Sequence, residues 1–232
     1  DGVDVSVEGG TDSVVAHLTV DASATPPAPH VAAVAKSGVT AGALGFDVEP
    51  GALAVDALGH RAVLEVVNTG LLGALPDPQN QPNTVLQLFD ASGQTTFVTA
   101  YSFSLDGGAG FDPSVAFAAD GSEIALGGGA QGDVSFPIST GGSVDVTSAT
   151  GNAAIVLRVD PATGDPRRAD VIDGVHSAGR FGVRAVAYLG HDVLALGETD
   201  DDFFVDGQFF AGRIEDFPGS NAFVTELGAD PW

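Results

Sequence analysis

The segment Asn152-Ala-Ala-Ile-Val-Leu-Arg-Val-Asp160 is a short apolar run rich in branched residues and closed by a turn former, which reads as a β-strand. Three other segments have the same form. They are Ser13-Val-Val-Ala-His-Leu-Thr-Val-Asp21, Asn83-Thr-Val-Leu-Gln-Leu-Phe-Asp90 and Asn221-Ala-Phe-Val-Thr-Glu-Leu-Gly228. Their closing residues Asp21, Asp90, Asp160 and Gly228 lie 69, 70 and 68 positions apart, which is the signature of an internal repeat.

Between these strands a second pair of apolar stretches recurs. Leu53 to Gly59 precedes His60 to Val66, Val115 to Gly121 precedes Ser122 to Gly127, and Val186 to Gly190 precedes His191 to Gly197. Two apolar stretches joined through a glycine read as a β-hairpin, because glycine takes positive φ without a steric penalty. Asp90-Ala-Ser-Gly93 and Asp160-Pro-Ala-Thr-Gly164 predict two further hairpin turns, with the aspartate bonding the backbone two residues on. No helix is expected. The alanine-rich Val31 to Ala35 follows Pro26, Pro27 and Pro29 and is closed by Gly38, so strand is preferred there as well.

One period then holds about four strands linked up and down, as one propeller blade does. A Val-Ala strand closed by Gly, a second apolar strand closed by Gly, a long polar loop and an Asn-Ala-led strand together resemble the bacterial β-propeller repeat of large secreted and surface proteins. The elements are Val115 to Gly127 with Asn152 to Asp160, and Val186 to Gly197 with Asn221 to Leu227. The resemblance covers roughly residues 45–232. It implies an all-β fold of four-stranded antiparallel blades, with approximate units 13–82, 83–151 and 152–220 and a final strand in 221–232. Val66-Val67-Asn68 departs from the pattern, and Ala22 to Gly51 has no clear match, so the first blade is expected to be irregular. Closed propellers use about four to eight blades. Three periods and a strand therefore imply a segment of a larger propeller, or edges paired with a second copy, since unpaired edges invite association.

Composition narrows the function classes. Eight Lys and Arg stand against 31 Asp and Glu among 232 residues, a formal net charge of −23. A phosphate backbone or anionic membrane would be repelled. A hydrophobic share of 44% is too high for disorder of the charged, weakly apolar kind. Charged residues make up only 17%, so an Ala/Gly/Asp-rich secreted protein is preferred over a halophilic one. No apolar run reaches the length of a membrane-spanning helix. The absence of cysteine removes disulfides, thiolate catalysis and Cys-based metal sites. The start at Asp1 without methionine or leader predicts a processed chain or a fragment.

Among candidate sites, Glu198, Asp200, Asp201, Asp202 and Asp206 are expected in one loop after Leu196-Gly197, where their oxygens could ligate Ca²⁺. The flanking Phe203, Phe204, Phe209 and Phe210 form a candidate contact patch for a protein or a glycan, against burial beneath the loop. His60 and His191 follow turn glycines in two repeats and are read as turn residues, while His17, His30 and His176 are isolated. Arg167-Arg168 is read as a solvated hairpin tip. Gly107-Gly108 and Gly127-Gly-Gly129 lack the lysine and helix of a phosphate loop, and there is no Gly-x-Ser-x-Gly elbow. Convergent acids of a glycosidase rest only on the abundance of Asp and Glu. The expected function is a non-enzymatic secreted or cell-surface scaffold for protein association. A carbohydrate-active lyase or hydrolase using Asp and Glu is the alternative, with a Ca²⁺-dependent glycan-binding module third.

Overall fold

The computed structural model describes residues 13–21, 28–37, 48–67, 83–101, 103, 114–148, 152–175, 181–199, 202–205, 208–210 and 221–228. Among the described residues all of the regular structure is β-strand, arranged in several antiparallel sheets of which none closes on itself. No described helix is long and apolar enough to cross a membrane. β1 (Ser13–Asp21) and β2 (Ala28–Ser37) form a hairpin. The run Val31 to Ala35 lies in β2, extended as expected after the prolines.

β3 (Val48–Val55), β4 (Arg61–Val67), β5 (Asn83–Phe89) and β6 (Thr95–Tyr101) make a four-stranded sheet in chain order. Its turns follow from sequence chemistry. In Asp90-Ala-Ser-Gly93 the Asp90 Oδ1 accepts from the Ser92 and Gln94 amides at 2.8 and 2.9 Å, while the Gly93 amide donates to the Asp90 carbonyl at 3.0 Å. Gly93 has φ +89°, the left-handed position that ends such a turn and feeds the return strand. Asp56 closes the β3–β4 turn alike, accepting from the Leu58 and His60 amides, each at 2.8 Å.

β7 (Ser114–Phe117), β8 (Ile124–Gln131), β11 (Asn152–Val159) and β12 (Pro166–Gly174) lie side by side in a six-stranded sheet, with β7 at one end. The expectation that strands end at Gly127 and Gly197 is corrected here. β8 runs through Gly127-Gly-Gly129 to Gln131, and β14 (Asp192–Thr199) runs through Gly197. These glycines are close-approach residues inside strands. A Cβ on Gly127 would lie 2.6 Å from Val183 Cγ1, and one on Gly128 would lie 2.7 Å from the Phe103 ring.

The long polar loop expected after β8 also holds structure: β9 (Val134–Pro137) and β10 (Ser143–Val146) form a hairpin. One side chain ties it down. Phe136 is buried against Tyr101 and Phe103, with ring centroids at 6.3 and 5.5 Å. The buried Tyr101 hydroxyl donates to the Gly164 carbonyl at 2.5 Å, fixing the β11–β12 turn to the end of β6. Tyr101→Phe should leave that carbonyl without its donor and lower stability by about 1–2 kcal/mol, a loss readable in urea unfolding.

The third sheet contains β13 (Phe181–Leu189), β14 and β17 (Asn221–Leu227). Between β14 and β17 the chain makes a short hairpin, β15 (Phe203–Val205) and β16 (Gln208–Phe210). β15 pairs with β12 and so extends the neighbouring sheet.

The sheets stack face to face. Leu64, Leu86 and Leu88 of the four-stranded sheet share one core with Ile124, Leu126, Ile155 and Leu157 of the six-stranded sheet. The opposite face of the six-stranded sheet, carrying Ala125, Ala154, Val156 and Ile172, shares a second core with Val183, Val193, Ala195, Phe223 and Leu227 of the third sheet. Strand alternation produces this two-sided burial, since neighbouring residues of β11 point into different cores. The first strands of the successive sheets also touch, β3 against β7 and β7 against β13.

Candidate functional site

Arg158 interrupts the apolar run of β11, in register with Ala125 of β8 and Arg168 of β12. Alternation aims it at the third sheet, where it is 3% exposed. Its Nε donates to Asp170 Oδ2 at 2.8 Å. Nη2 donates to the carbonyls of Leu227 and Gly228, both at 2.9 Å, and Nη1 faces Glu123 Oε2 at 3.4 Å and the His191 carbonyl at 3.5 Å. The guanidinium has five N–H donors, and five acceptors surround it.

Tyr188 of β13 donates to Glu123 Oε2 at 2.9 Å, and Arg168 pairs with the other oxygen of Asp170. Burial, then the Glu123 charge, push the Tyr188 phenol well above its ordinary value, so it stays a donor. Burial alone would lower the pKa of Arg158, but the Asp170 hydrogen bond and the charges of Asp170 and Glu123 outweigh it and hold the pKa above its ordinary value. The cluster therefore joins β11 and β12, the turn before β8, β13 and the end of β17. With its donors committed to the protein, Arg158 acts as a latch between sheets. The signal for it was present in the sequence as a lone cation inside an apolar strand, which carries no meaning until the strand's second face is known to be covered.

A second buried carboxylate, Glu65 of β4, is 2% exposed and accepts from Gln87 Nε2 at 2.9 Å. It lies on the face of the four-stranded sheet that bears Val63 and Phe89, away from the Arg158 cluster.

The expected calcium loop is placed only in part. Glu198 lies within β14 rather than in a loop, and its Oε1 accepts from Arg184 Nη2 at 2.6 Å. The Asp202 carbonyl accepts from the Val175 amide at 2.9 Å. Asp200, Asp201 and Asp206 lie outside the described residues, as do Gly107, Gly108 and His176. Among the described residues no group of three or more His, Asp or Glu side chains converges so as to hold a metal ion.

Of the aromatic patch, Phe203 is buried with its ring centroid 5.2 Å from that of Phe223, while Phe204 on the opposite face is 40% exposed. Phe209 and Phe210 belong to β16, and their side chains lie outside the described residues. His60 serves its turn, with Nδ1 2.6 Å from Asp56 Oδ2, and His191 sits in the β13–β14 turn; His17 and His30 are in β1 and β2. Arg167 and Arg168 lie in β12 beyond the hairpin tip, and each meets a carboxylate, Arg167 that of Asp160 and Arg168 that of Asp170.

Several turn aspartates titrate below the ordinary carboxylate value. Asp90 is lowered by the Ser92 hydroxyl and the Gln94 amide, and Asp165 by the Ser139 amide and hydroxyl. A depressed folded-state pKa contributes stability that is complete above the unfolded value near 3.8 and is lost as pH falls through the lower folded value. Asn at position 90 retains an acceptor without the charge. The melting-temperature advantage of the native protein over Asp90→Asn should therefore shrink as pH drops below about 4, which thermal unfolding across pH would measure.

No family model matches this sequence, and no curated protein matches it.

Proposed function

We propose that the chain is a scaffold built of propeller-type blades, secreted or displayed at the cell surface, whose task is association with other protein chains. The observation that carries this reading is the way the sheets succeed one another. The sheet β3-β4-β5-β6 and the run β7-β8-β11-β12 each place four consecutive main strands side by side, whereas β13-β14-β17 has three among the described residues.

Register supports a common unit of about 70 residues. The pairs Arg61↔Phe89, Ile124↔Val159 and Val193↔Leu227 occupy the same place in the three sheets, each immediately after the first hairpin turn and before the closing residue of the second strand. The period of the sequence and the order of the sheets thus point to one architecture. The commitment of Arg158, Asp170 and Glu123 to one another supports a structural role for this buried charged cluster.

The reading is tested in two steps. Multi-angle light scattering over a wide concentration range should reveal self-association or capture of a partner. A screen of polysaccharides should show no cleavage. Catalytic turnover abolished by a single Asp→Asn change would overturn the scaffold in favour of a carbohydrate-active enzyme. Calcium calorimetry addresses the remaining reading, in which the 198–206 segment is a glycan-binding site: binding heat that depends on Asp202 would favour it.

A further inference from the structure

The first strands of the three stacked sheets, β3, β7 and β13, lie against one another in that order. Register makes the rows Val55-Arg61-Phe89, Phe117-Ile124-Val159 and Tyr188-Val193-Leu227 equivalent across the three sheets. Leu53 and Val55 of β3 therefore hold the places of Val115 and Phe117 in β7 and of Val186 and Tyr188 in β13. Their neighbours Ala52 and Ala54, Ser114 and Ala116, and Ala185 and Ala187 point to the other side of each strand.

At both contacts inside the chain a bulky pair meets a small pair. Val115 and Phe117 pack in the same core as Ala52 and Ala54. Val186 and Tyr188 pack in the core that holds Ala125, the cross-strand partner of Ala116. A Cβ on Gly127, which pairs with Ser114, would strike both Ser114 Oγ and Val186 Cγ1, so this second contact is close as well. Small side chains on one strand leave the depth that larger ones on the next strand fill.

One half of this contact is left over at each end of the stack. Leu53 and Val55 are 54% and 58% exposed, whereas Val63 and Phe89 on the same side of the first sheet are buried, so the exposed strip there is on β3. At the other end Ala185 and Ala187 are exposed. β13 holds no acidic residue. Asp192, Glu198 and Glu226 belong to β14 and β17, and Glu198 is paired with Arg184. In a chain of net charge −23, the small pair thus stands on a strand free of acids.

We infer that copies of this chain join head to tail, with Leu53 and Val55 of one copy seated on Ala185 and Ala187 of the next. This rests on the scaffold reading above and names its surface and partner. Unlike surfaces meet, as they do at the two contacts inside the chain. Repetition of such a contact gives a ring when the rotation closes and a filament when it does not.

The absence of cysteine makes the test direct. Single-cysteine variants at exposed positions, Val55→Cys, Ala187→Cys and Phe204→Cys, are treated alone and in pairs with a bis-maleimide that spans the distance of about 10 Å between packed sheets. A mixture of Val55→Cys and Ala187→Cys should give a covalent product of twice 23.2 kDa, while each alone, or either with Phe204→Cys, should give none. The yield should rise as salt is raised from about 0.1 to about 1 M, because screening weakens the repulsion between acidic chains. Adding Leu53→Glu to Val55→Cys should abolish the product with circular dichroism unchanged. An Ala187→Cys chain that links to itself means that like faces meet, and overturns the head-to-tail contact. Sedimentation of the native chain as a multimer without the mixed product also overturns it, while leaving association and the scaffold reading in place. A native chain that sediments as a monomer at high concentration and high salt, and gives no product, removes it altogether. Polysaccharide turnover would instead strike the scaffold reading and leave the cross-link unaffected.

Discussion

Arg158→Met should destabilise the protein by about 3–5 kcal/mol, the usual consequence of removing one partner from a buried ion pair. Asp170, whose side chain is 5% exposed, would keep a charge inside the protein with only Arg168 to answer it. The carbonyls of Leu227 and Gly228 would each lose a donor at 2.9 Å. Arg158→Lys keeps the charge but has no planar fork to serve Asp170 and two carbonyls together, so it should recover only part of the loss. Because the latch joins the second sheet to the third, the damage should appear first as faster hydrogen exchange in β17. Equal protection in the variant and the native protein would show that apolar packing alone seats the third sheet. Denaturant unfolding followed by circular dichroism gives the magnitude.

The second large effect is expected at Gly197. A Cβ there would overlap Cζ at the tip of the Phe223 ring and lie 2.6 Å from the Gly182 carbonyl oxygen. A side-chain ring can turn aside, but a strand carbonyl moves only with its strand, so Gly197→Ala should cost at least the 1–3 kcal/mol typical of overpacking. Gly127→Ala forms a contrast, since its obstructions are the side chains of Ser114, Val183 and Val186. Val183→Ala should therefore rescue much of the Gly127→Ala loss, whereas Phe223→Leu should rescue Gly197→Ala only partly. Thermal melts of the four proteins and the two double variants decide this. Full rescue at Gly197 would mean that the ring, not the carbonyl, is the obstacle.

These two glycines also show where sequence reasoning stops. At Gly59 and Gly121 the inference from glycine to turn is correct, and both have positive φ. At Gly127 and Gly197 the same inference ends a strand too early, because these glycines answer to neighbours from elsewhere in the chain. Local turn chemistry is written in consecutive residues such as Asp90-Ala-Ser-Gly93. Close approach of β8 to β13 depends on residues more than 50 positions apart and leaves only the absence of a side chain as its trace. Phe136 and Phe203 follow the same logic, since an aromatic residue in a polar stretch becomes a core residue only when a short hairpin carries it to the stack.

The candidate site was legible in pieces. In the sequence Glu198 is one acid in a row of carboxylates, but in β14 it pairs with Arg184 and lies on a sheet face. Arg158 is a single cation inside an apolar strand, and its five acceptors come from residues as far off as Leu227 and Gly228.

The sequence by itself determined an all-β chain, its hairpin turns and the alternation of its strands, because each depends on side chains a few positions apart. Only the tertiary structure decided which strand faces meet, which glycines are spacers, that Arg158 is a latch, and that the third sheet presents Leu196 and Val224 to solvent. The physical reason is that each residue of β11 or β14 fixes which side of a sheet it occupies, while what covers that side is supplied by residues far away in the chain.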